Sequence, residues 1–181
     1  ALYRQLEARL HARSEVLRTG LARRAPLSVG GEGATRRIFF PHDEAPAASS
    51  GRRVKFNIVT PGYFDLLGVR LLRGRDFGEQ DDQGSARVAL VSETAARRYW
   101  PQGDALGSQV RMGDEQTPVE IVGVVADVAQ TRVHEKAEPY LYFPFAQMYW
   151  GEMTVLIETR GDPQGLAAVL RQELGGLDPD A

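Results

Sequence analysis

The stretch that decides the fold is residues 60–77, TPGYFDLLGVRLLRGRDF. Its first half predicts a short amphipathic helix, because Thr60 can cap the N-terminus and Pro61 suits the first helical position, where its missing N–H has no partner. The apolar stripe of that helix is Tyr63, Phe64, Leu66 and Leu67. Gly68 can adopt the left-handed conformation that ends a helix. The chain then resumes with strand character at 69–72 and turns at Arg73-Gly74-Arg75-Asp76.

Periodicity predicts the elements on either side of this stretch. Apolar residues at helical spacing predict a helix from Leu2 to about Arg13. Alternating or short apolar runs predict strands at 16–22, 36–40, 53–59, 88–91, 109–112, 119–128, 140–143 and 154–159. Ser92 is predicted to cap a helix that ends before Pro101, and Asp162 to cap a last helix that buries Leu166, Val169, Leu170 and Leu174. Residues 28–34, 42–51 and 77–85 are predicted loops.

Several of these segments together resemble the extracytoplasmic domain of MacB/FtsX-type ABC transporter permeases. The Pro-Gly-Tyr-Phe helix that runs into Leu-Leu-Arg-Gly-Arg-Asp-Phe carries the clearest likeness. Further similar segments follow in the family's order: VALVSETAARRYWP at 88–101, DALGSQV at 104–110, EIVGVVADV at 120–128, PYLYFP at 139–144 and RGDP at 160–163. The resemblance covers roughly Val54 to the C-terminus, and the first fifty residues carry no sharp motif.

The order of elements is mixed rather than strictly alternating, which favours an α+β fold with helices packed on one side of a mainly antiparallel sheet. The resemblance implies one extracytoplasmic domain over residues 1–181 with two lobes. A porter-like βαβ lobe would comprise 1–75 and 137–181. A smaller, strand-rich Sabre-like lobe would be inserted at 76–136.

The resemblance also implies a function without catalysis. ATP hydrolysis at a cytosolic ATP-binding subunit or domain would move the permease's membrane helices, and this domain would relay the motion to a substrate or adaptor outside the membrane. The implied partners are that ATPase, reached indirectly through the membrane helices, a second permease subunit, and a periplasmic adaptor or substrate. We expect the chain to be an extracytoplasmic part of an inner-membrane protein whose membrane helices lie outside this sequence. Substrate choice is expected on the loops 28–34 and 42–51.

Composition excludes several other classes of protein. The chain has 22 basic and 24 acidic residues, a net charge of −2, so it lacks the basic surplus of a nucleic-acid-binding domain. It contains no cysteine, which excludes disulfide scaffolds, thiol catalysis and Cys-type zinc sites. Its best apolar run, residues 119–128, falls far short of the roughly 20 residues of a membrane span.

The motifs that usually carry chemistry are missing from the sequence. The three histidines, His11, His42 and His134, have no partners at metal-ligand spacing and are expected to be solvated. The acidic cluster Glu79, Asp81 and Asp82 lacks a calcium-loop pattern and is expected to be a solvated loop. Gly30, Gly31 and Gly33 do not follow either phosphate-binding pattern. We therefore expect no catalytic residue, no metal site and no cofactor in this domain.

Aromatic residues give the remaining candidates. Tyr99 and Trp100, next to Pro101, are expected to pack against the core. Met148, Tyr149 and Trp150, in a predicted loop between two strands, are the best candidates for a contact surface with another protein. The alternative function is a free-standing periplasmic ligand-binding or sensor domain, which predicts a concave apolar pocket with converging polar groups. A hydrolase would instead need an acid/base pair with shifted pKa values in a cleft.

Overall fold

The computed structural model describes residues 2–28, 34–40, 51–113, 117–128 and 137–161, together with positions 163, 166, 170, 175 and 176. Most of the predicted loops 28–34 and 42–51 lies outside these residues, as do His42 and His134. The helices are α1 (Leu2–His11), α2 (Tyr63–Leu66) and α3 (Glu93–Tyr99). The strands are β1 (Val16–Ala22), β2 (Thr35–Phe39), β3 (Arg52–Val59), β4 (Leu71–Gly74), β5 (Val88–Ser92), β6 (Gln109–Met112), β7 (Val119–Val125), β8 (Tyr140–Pro144) and β9 (Thr154–Thr159).

Six strands close into a ring. In the order β2, β6, β7, β5, β8 and β3, each strand pairs with its neighbours, and the additional pairing of β2 with β3 joins the two ends. The pairs β5–β7 and β3–β8 are parallel, whereas the other pairs in the ring are antiparallel. The expectation of a mainly antiparallel sheet is therefore confirmed. We refer to these six strands as the ring.

Two apolar clusters lie on opposite faces of the ring strands. The first takes side chains from all six strands and from Ala95 of α3, so it fills the ring interior. The second includes Tyr63 and Phe64 of α2 and lies outside the ring. Successive residues of β5 alternate between them, with Ala89 and Val91 in the first and Val88 and Leu90 in the second.

The expectation that all helices lie on one side of the sheet is wrong, because α2 and α3 belong to opposite clusters. Strands that are buried on both faces are mostly apolar in both registers, and β5 is buried along its whole length and apolar from Val88 to Val91. Such a pattern does not say which face a given helix covers.

Strands β1 and β9 form an antiparallel ribbon that extends from the ring. The ribbon meets the ring where Ala22 of β1 pairs with Val59 of β3. Helix α1 packs against β1, and its Leu6 and Leu10 are fully buried. Beyond β9, positions 163, 166, 170 and 175 have helical backbone and Leu166 is buried. Asp162, Val169 and Leu174, which were expected in that last helix, lie outside the described residues.

The start of α2 differs from the sequence prediction. Thr60-Pro61-Gly62-Tyr63 forms a β-turn in which the Tyr63 N–H donates to the Thr60 carbonyl at 3.3 Å and Gly62 has φ +79°. Proline followed by a left-handed glycine is typical of a type II turn. The N-cap is therefore Gly62, without a side-chain hydrogen bond, and the prediction of Thr60 as the cap is wrong.

Other predicted helix ends agree with the structure. Gly68 has φ +64°, as a left-handed terminator requires. The Ser92 hydroxyl accepts a hydrogen bond from the Ala95 N–H at 3.2 Å and caps α3. The same Ser92 oxygen accepts the Tyr140 N–H of β8 at 3.2 Å, so this buried hydroxyl also fastens the helix to the ring.

Candidate contact surface

The loop after β8, residues 145–153, is held firmly in place. The Phe145 N–H donates to the Val59 carbonyl at 2.9 Å. Gln147 accepts the Val88 N–H at 3.0 Å, and its amide group donates to the Ser85 hydroxyl and the Ala86 carbonyl, both at 2.9 Å. The side chains that this loop presents are therefore fixed relative to the ring.

The three sequence candidates in this loop have different environments. Tyr149 is 74% exposed, the largest exposure among the large apolar side chains that are exposed in the described residues. Met148 and Trp150 are half-buried and pack against the interior cluster of the ring. Tyr149 is thus the member that is available for contact, whereas its two neighbours anchor it.

Tyr149 is one end of an aromatic row. Its ring centroid lies 5.5 Å from that of Phe145, which lies 5.5 Å from that of Tyr3 in an edge-to-face arrangement. The Tyr3 hydroxyl donates to the Gly151 carbonyl at 2.8 Å, which closes the row onto the loop. Burial raises the pKa of Tyr3 above its ordinary value, which further favours the protonated hydroxyl that donates this bond. We refer to Tyr3, Phe145 and Tyr149 as the aromatic row.

Arg23 contacts this loop through a cation–π interaction. Its guanidinium carbon lies 4.6 Å from the centroid of the Trp150 ring and 5.4 Å from that of Phe56, which is a cation–π arrangement with two aromatic rings. Sequence reasoning missed Arg23, Tyr3 and Phe145 as members of this surface. Arg23 and Tyr3 lie far from Tyr149 in the sequence, so no local pattern could connect them with this loop, whereas Phe145 lies in the loop itself.

A groove of about 670 Å³ lies beside α3 and β4. Leu72, Trp100 and Val124 contribute its apolar lining. Its charged residues pair with one another: Arg73 with Asp104, and Arg97 with Glu93 at 2.8 Å. In a ligand pocket, a few polar groups converge on one point. The charged groups of this groove bind one another instead.

The other residues singled out from the sequence lie in packed or hydrogen-bonded environments. The Tyr99 hydroxyl donates to the Arg53 carbonyl at 2.7 Å, and Trp100 packs edge-to-face on Phe40 with centroids 5.1 Å apart, so the prediction that this pair packs is confirmed. The Nε2 atom of His11, an exposed residue, lies 2.9 Å from the Thr19 hydroxyl. Within the described residues, no three His, Asp or Glu side chains are grouped as metal ligands would be.

The prediction that the acidic cluster of loop 77–85 is solvated is only partly confirmed. Glu79 and Asp82 are exposed, as expected. Asp81 is 2% exposed and pairs with Arg75, so the expectation that it is solvated is wrong. The sequence hides this pairing because Arg75 was assigned to a turn and Asp81 to a loop, with no periodicity to connect them.

The fold is a six-stranded ring with an attached two-stranded ribbon, and the charged residues of its groove pair with one another. Residues 14–173 match the family model of the MacB-like periplasmic core domain. The chain belongs to this family and is an extracytoplasmic domain of a MacB-like ABC transporter permease. Among the described residues, no helix has both the length and the apolar composition of a membrane-spanning one.

Relatives of similar sequence include ABC transporter permeases. The uncharacterized ABC transporter permease YvrN of Bacillus subtilis (strain 168) is 29% identical over 89 residues, which are 48% of this chain and 21% of that protein. The macrolide export ATP-binding/permease protein MacB of Mannheimia succiniciproducens is 34% identical over 65 residues, 36% of this chain and 10% of that protein. The matched segments are thus about a fifth or less of these relatives' length.

Solved structures confirm the fold. The periplasmic region of MacB from Actinobacillus actinomycetemcomitans superposes with a TM-score of 0.66 at 16% identity, covering 96% of this chain and 72% of that chain. The extracellular domain of the noncanonic ABC-type transporter YknZ from Gram-positive bacteria has a TM-score of 0.64 at 17% identity, covering 95% of this chain and 81% of that chain.

Proposed function

We propose that this domain is a non-catalytic mechanical relay. ATP hydrolysis at the permease's ATP-binding partner moves the membrane helices, and the domain carries that motion to an adaptor or substrate outside the membrane. Within this proposal the porter-like lobe (1–75 and 137–181) and the Sabre-like lobe (76–136) are its two parts. A second permease subunit works beside it.

The observation that carries the proposal is the connection between the ribbon and the ring. The Thr60 N–H donates to the Leu21 carbonyl at 3.0 Å, and the Thr60 hydroxyl accepts the Leu21 N–H at 2.8 Å. The Arg23 N–H donates to the Ile58 carbonyl at 2.8 Å. We refer to residues 21–24 and 57–60 as the joint.

Asn57 completes the joint with its side chain. Its carbonyl oxygen accepts the Arg24 N–H at 3.1 Å and its amide donates to the Arg24 carbonyl at 2.8 Å. Asn57 is 1% exposed and Thr60 is 8% exposed, so both side chains are buried. The two bonds between Asn57 and Arg24 are partly buried. Hydrogen bonds made by buried polar side chains stiffen a connection, because breaking one of them carries a desolvation cost.

A rigid joint is what a relay requires. The first and the last strand of the described chain are both in the ribbon, so a displacement applied through either reaches the ring through the joint. Arg18 of β1 reinforces this path, since its guanidinium contacts Asp65 of α2 at 2.5 Å and Glu158 of β9 at 2.7 Å. The aromatic row is the surface that we assign to the outer partner.

The test is to loosen the joint in the full-length permease. Spin labels at Gln109→Cys, an exposed position on β6 of the ring, report the distance between two copies with and without ATP in a permease whose other cysteines are removed. We expect ATP to shift this distance. Asn57→Leu should at least halve the shift while the ATP hydrolysis rate stays within about twofold.

Ser92→Ala is the matched control. It removes another buried polar side chain with two hydrogen bonds, but one that belongs to ring strand β5 and not to the joint. It should leave the ATP-dependent shift intact. The proposal is wrong if ATP causes no distance shift in the labelled permease that retains Asn57. It is also wrong if Asn57→Leu leaves that shift at its full size.

A further inference from the structure

Two strands have a partner on only one edge among the described residues, β4 and β9. Proteins usually protect such edges with short strands, bulges or charges. β4 is protected in this way: it has four residues, an irregular register against β7, and Arg73 paired with Asp104. It is therefore a poor template for another strand.

β9 lacks this protection. Its six residues, TVLIET, contain no proline and only one charge, Glu158, which already pairs with Arg18. Its pairing with β1 is regular from Thr154 to Glu158, and the register shifts only between Val16 and Arg18 of β1. Val155, Leu156 and Ile157 are all half-exposed. Among the residues that the structure describes, no strand pairs with this edge, so it offers a place for a further strand.

The backbone direction of β9 follows from the joint. Both the N–H and the carbonyl of Leu21 bond to Thr60, so they point away from β9. Because these groups alternate along an antiparallel strand, Gly20 and Ala22 point toward β9 and bond to their partners Leu156 and Thr154. The N–H and carbonyl groups of Val155 and Ile157 must then point outward, away from β1.

We propose that β9 pairs with β9 of a second copy of this chain, antiparallel, about a two-fold axis at Leu156. This inference deepens the proposed function, on which it rests, by naming the strand through which the two permease subunits meet outside the membrane. In this register the outward groups of Val155 bond to Ile157 of the second copy, and the reverse. The resulting sheet continues from one ribbon into the other.

The side chains of β9 favour a copy of itself over an unrelated strand. Leu156 lies opposite Leu156 of the second copy, and Glu158 lies opposite Thr154, so no like charges face each other. Apolar residues occupy the centre of the strand, and Thr154 at its start faces the polar side chain of Glu158. A strand that is self-complementary in this way suits the isologous contact of a two-fold dimer.

Cysteine cross-linking tests the register directly, because the chain contains no cysteine. Leu156 forms a non-hydrogen-bonded pair across the axis, where the Cα atoms are about 4.5 Å apart. That separation lies within the roughly 4.4–6.8 Å range of disulfides. Under mild oxidation of the 181-residue chain we expect Leu156→Cys to give at least tenfold more disulfide-linked dimer than Leu71→Cys, placed on the protected edge of β4.

A second variant separates strand pairing from chance collision. Ile157→Pro removes an outward N–H but none of the bonds to β1, so the ribbon should persist in circular dichroism. It should reduce the cross-linking of Leu156→Cys by at least tenfold. The proposal is overturned if Leu156→Cys cross-links no more than Leu71→Cys. It is also overturned if Ile157→Pro leaves the cross-linking unchanged. In membranes that contain the permease, a Leu156→Cys cross-link found only with a different protein would overturn it as well.

The cross-linking requires no ATP, so its outcome is independent of the relay test. If the cross-link is absent while the ATP-driven shift of Gln109→Cys remains, the interface is wrong and the relay stands. If the cross-link forms while the shift is absent, the relay is wrong and the interface stands.

Discussion

Arg75 and Asp81 meet through two parallel hydrogen bonds: Nη1 lies 2.7 Å from Oδ2, and Nη2 lies 2.8 Å from Oδ1. The Gly78 N–H adds a third bond to Oδ2 at 2.9 Å. The Arg75 N–H itself donates to the Val122 carbonyl of β7 at 3.0 Å. This bidentate pair therefore fastens the long connection between β4 and β5 to the edge of β7, where loops usually move freely.

We predict that Asp81→Ala lowers the free energy of unfolding by roughly 1–3 kcal/mol, because it leaves Arg75 and the Gly78 N–H without their acceptor. Asp82→Ala, in the same loop but exposed, should cost no more than about 0.5 kcal/mol. Urea unfolding of the two variants measures the difference. Equal losses would contradict the assignment of Asp81 as the fastening residue.

The same pair predicts a pH dependence. Burial alone would raise the pKa of Asp81, but the hydrogen bonds from Arg75 and Gly78 and the charge of Arg75 outweigh it and hold the pKa below its ordinary value of 3.8. A lowered pKa means that the ionised pair stabilises the fold above about pH 4, and that this contribution is lost as the pH falls through the folded-state pKa. We expect the stability gap between wild type and Asp81→Ala to be constant from pH 5 to 8 and to shrink below about pH 4. A gap that widens on acidification would contradict the ion pair.

Two glycines with the same backbone angle offer a matched comparison. Gly74 and Gly107 both have φ +76°. A Cβ at Gly74 would lie 2.2 Å from the Val122 carbonyl oxygen, whereas one at Gly107 would meet nothing within 4 Å. We predict that Gly107→Ala costs about 1–2 kcal/mol from backbone strain alone. Gly74→Ala should cost about 1–3 kcal/mol more, because the carbonyl cannot move without breaking the ladder of β7. Chemical denaturation of both variants gives the comparison, and similar values would show that the close approach is absent.

Thr60 should behave as a buried acceptor and not as a helix cap. Thr60→Val keeps the shape of the side chain but leaves the Leu21 N–H without its partner, so it should cost roughly 1–3 kcal/mol. Thr60→Ser retains the hydroxyl and should restore most of that loss. Thermal unfolding, combined with amide exchange at Leu21, distinguishes the two roles. Leu21 exchange that stays slow in Thr60→Val would contradict this bond.

Tyr149 and Trp150 are neighbours with opposite predicted behaviour. Tyr149→Ala should change the free energy of unfolding by no more than about 0.5 kcal/mol, because the ring is mostly in solvent. Trp150→Ala should cost about 2 kcal/mol, since it removes half-buried apolar surface and the cation–π contact with Arg23. Denaturation curves of the purified chain provide the measurement. If Tyr149→Ala proves as destabilising as Trp150→Ala, Tyr149 is a packing residue and the aromatic row is not a free surface.

Local patterns predicted most of the elements and some of their ends. Strands Val16–Ala22 and Thr154–Thr159 begin and end at the predicted residues, and Ser92 caps α3 as predicted. These features depend on residues that are close in sequence, so the pattern contains the information. The family resemblance supplied the class of protein, which composition alone could not give.

The features that sequence reasoning missed depend on distant residues. Thr60 resembles a helix cap in the sequence because threonine before proline fits that role. In the structure the turn at Gly62 starts the helix later, and the Thr60 hydroxyl accepts the buried Leu21 N–H instead. The closure of the ring requires Ile38 of β2 to pair with Met112 of β6. The aromatic row likewise joins Tyr3 to the loop at Phe145. Contacts of this kind leave no periodicity in the sequence.

The closed ring has a consequence for the order in which the chain folds. β8 lies between β3 and β5, and both of these strands precede it in sequence. Before residues 140–144 leave the ribosome, the edges of β3 and β5 that later pair with β8 have no partner. Unpaired strand edges of this kind are prone to aggregate with other nascent chains. Formation of long-range strand pairs is also slow. We expect docking of β8 to be the step that limits the folding rate, so that substitutions at Leu141 or Phe143 slow folding more than they speed unfolding.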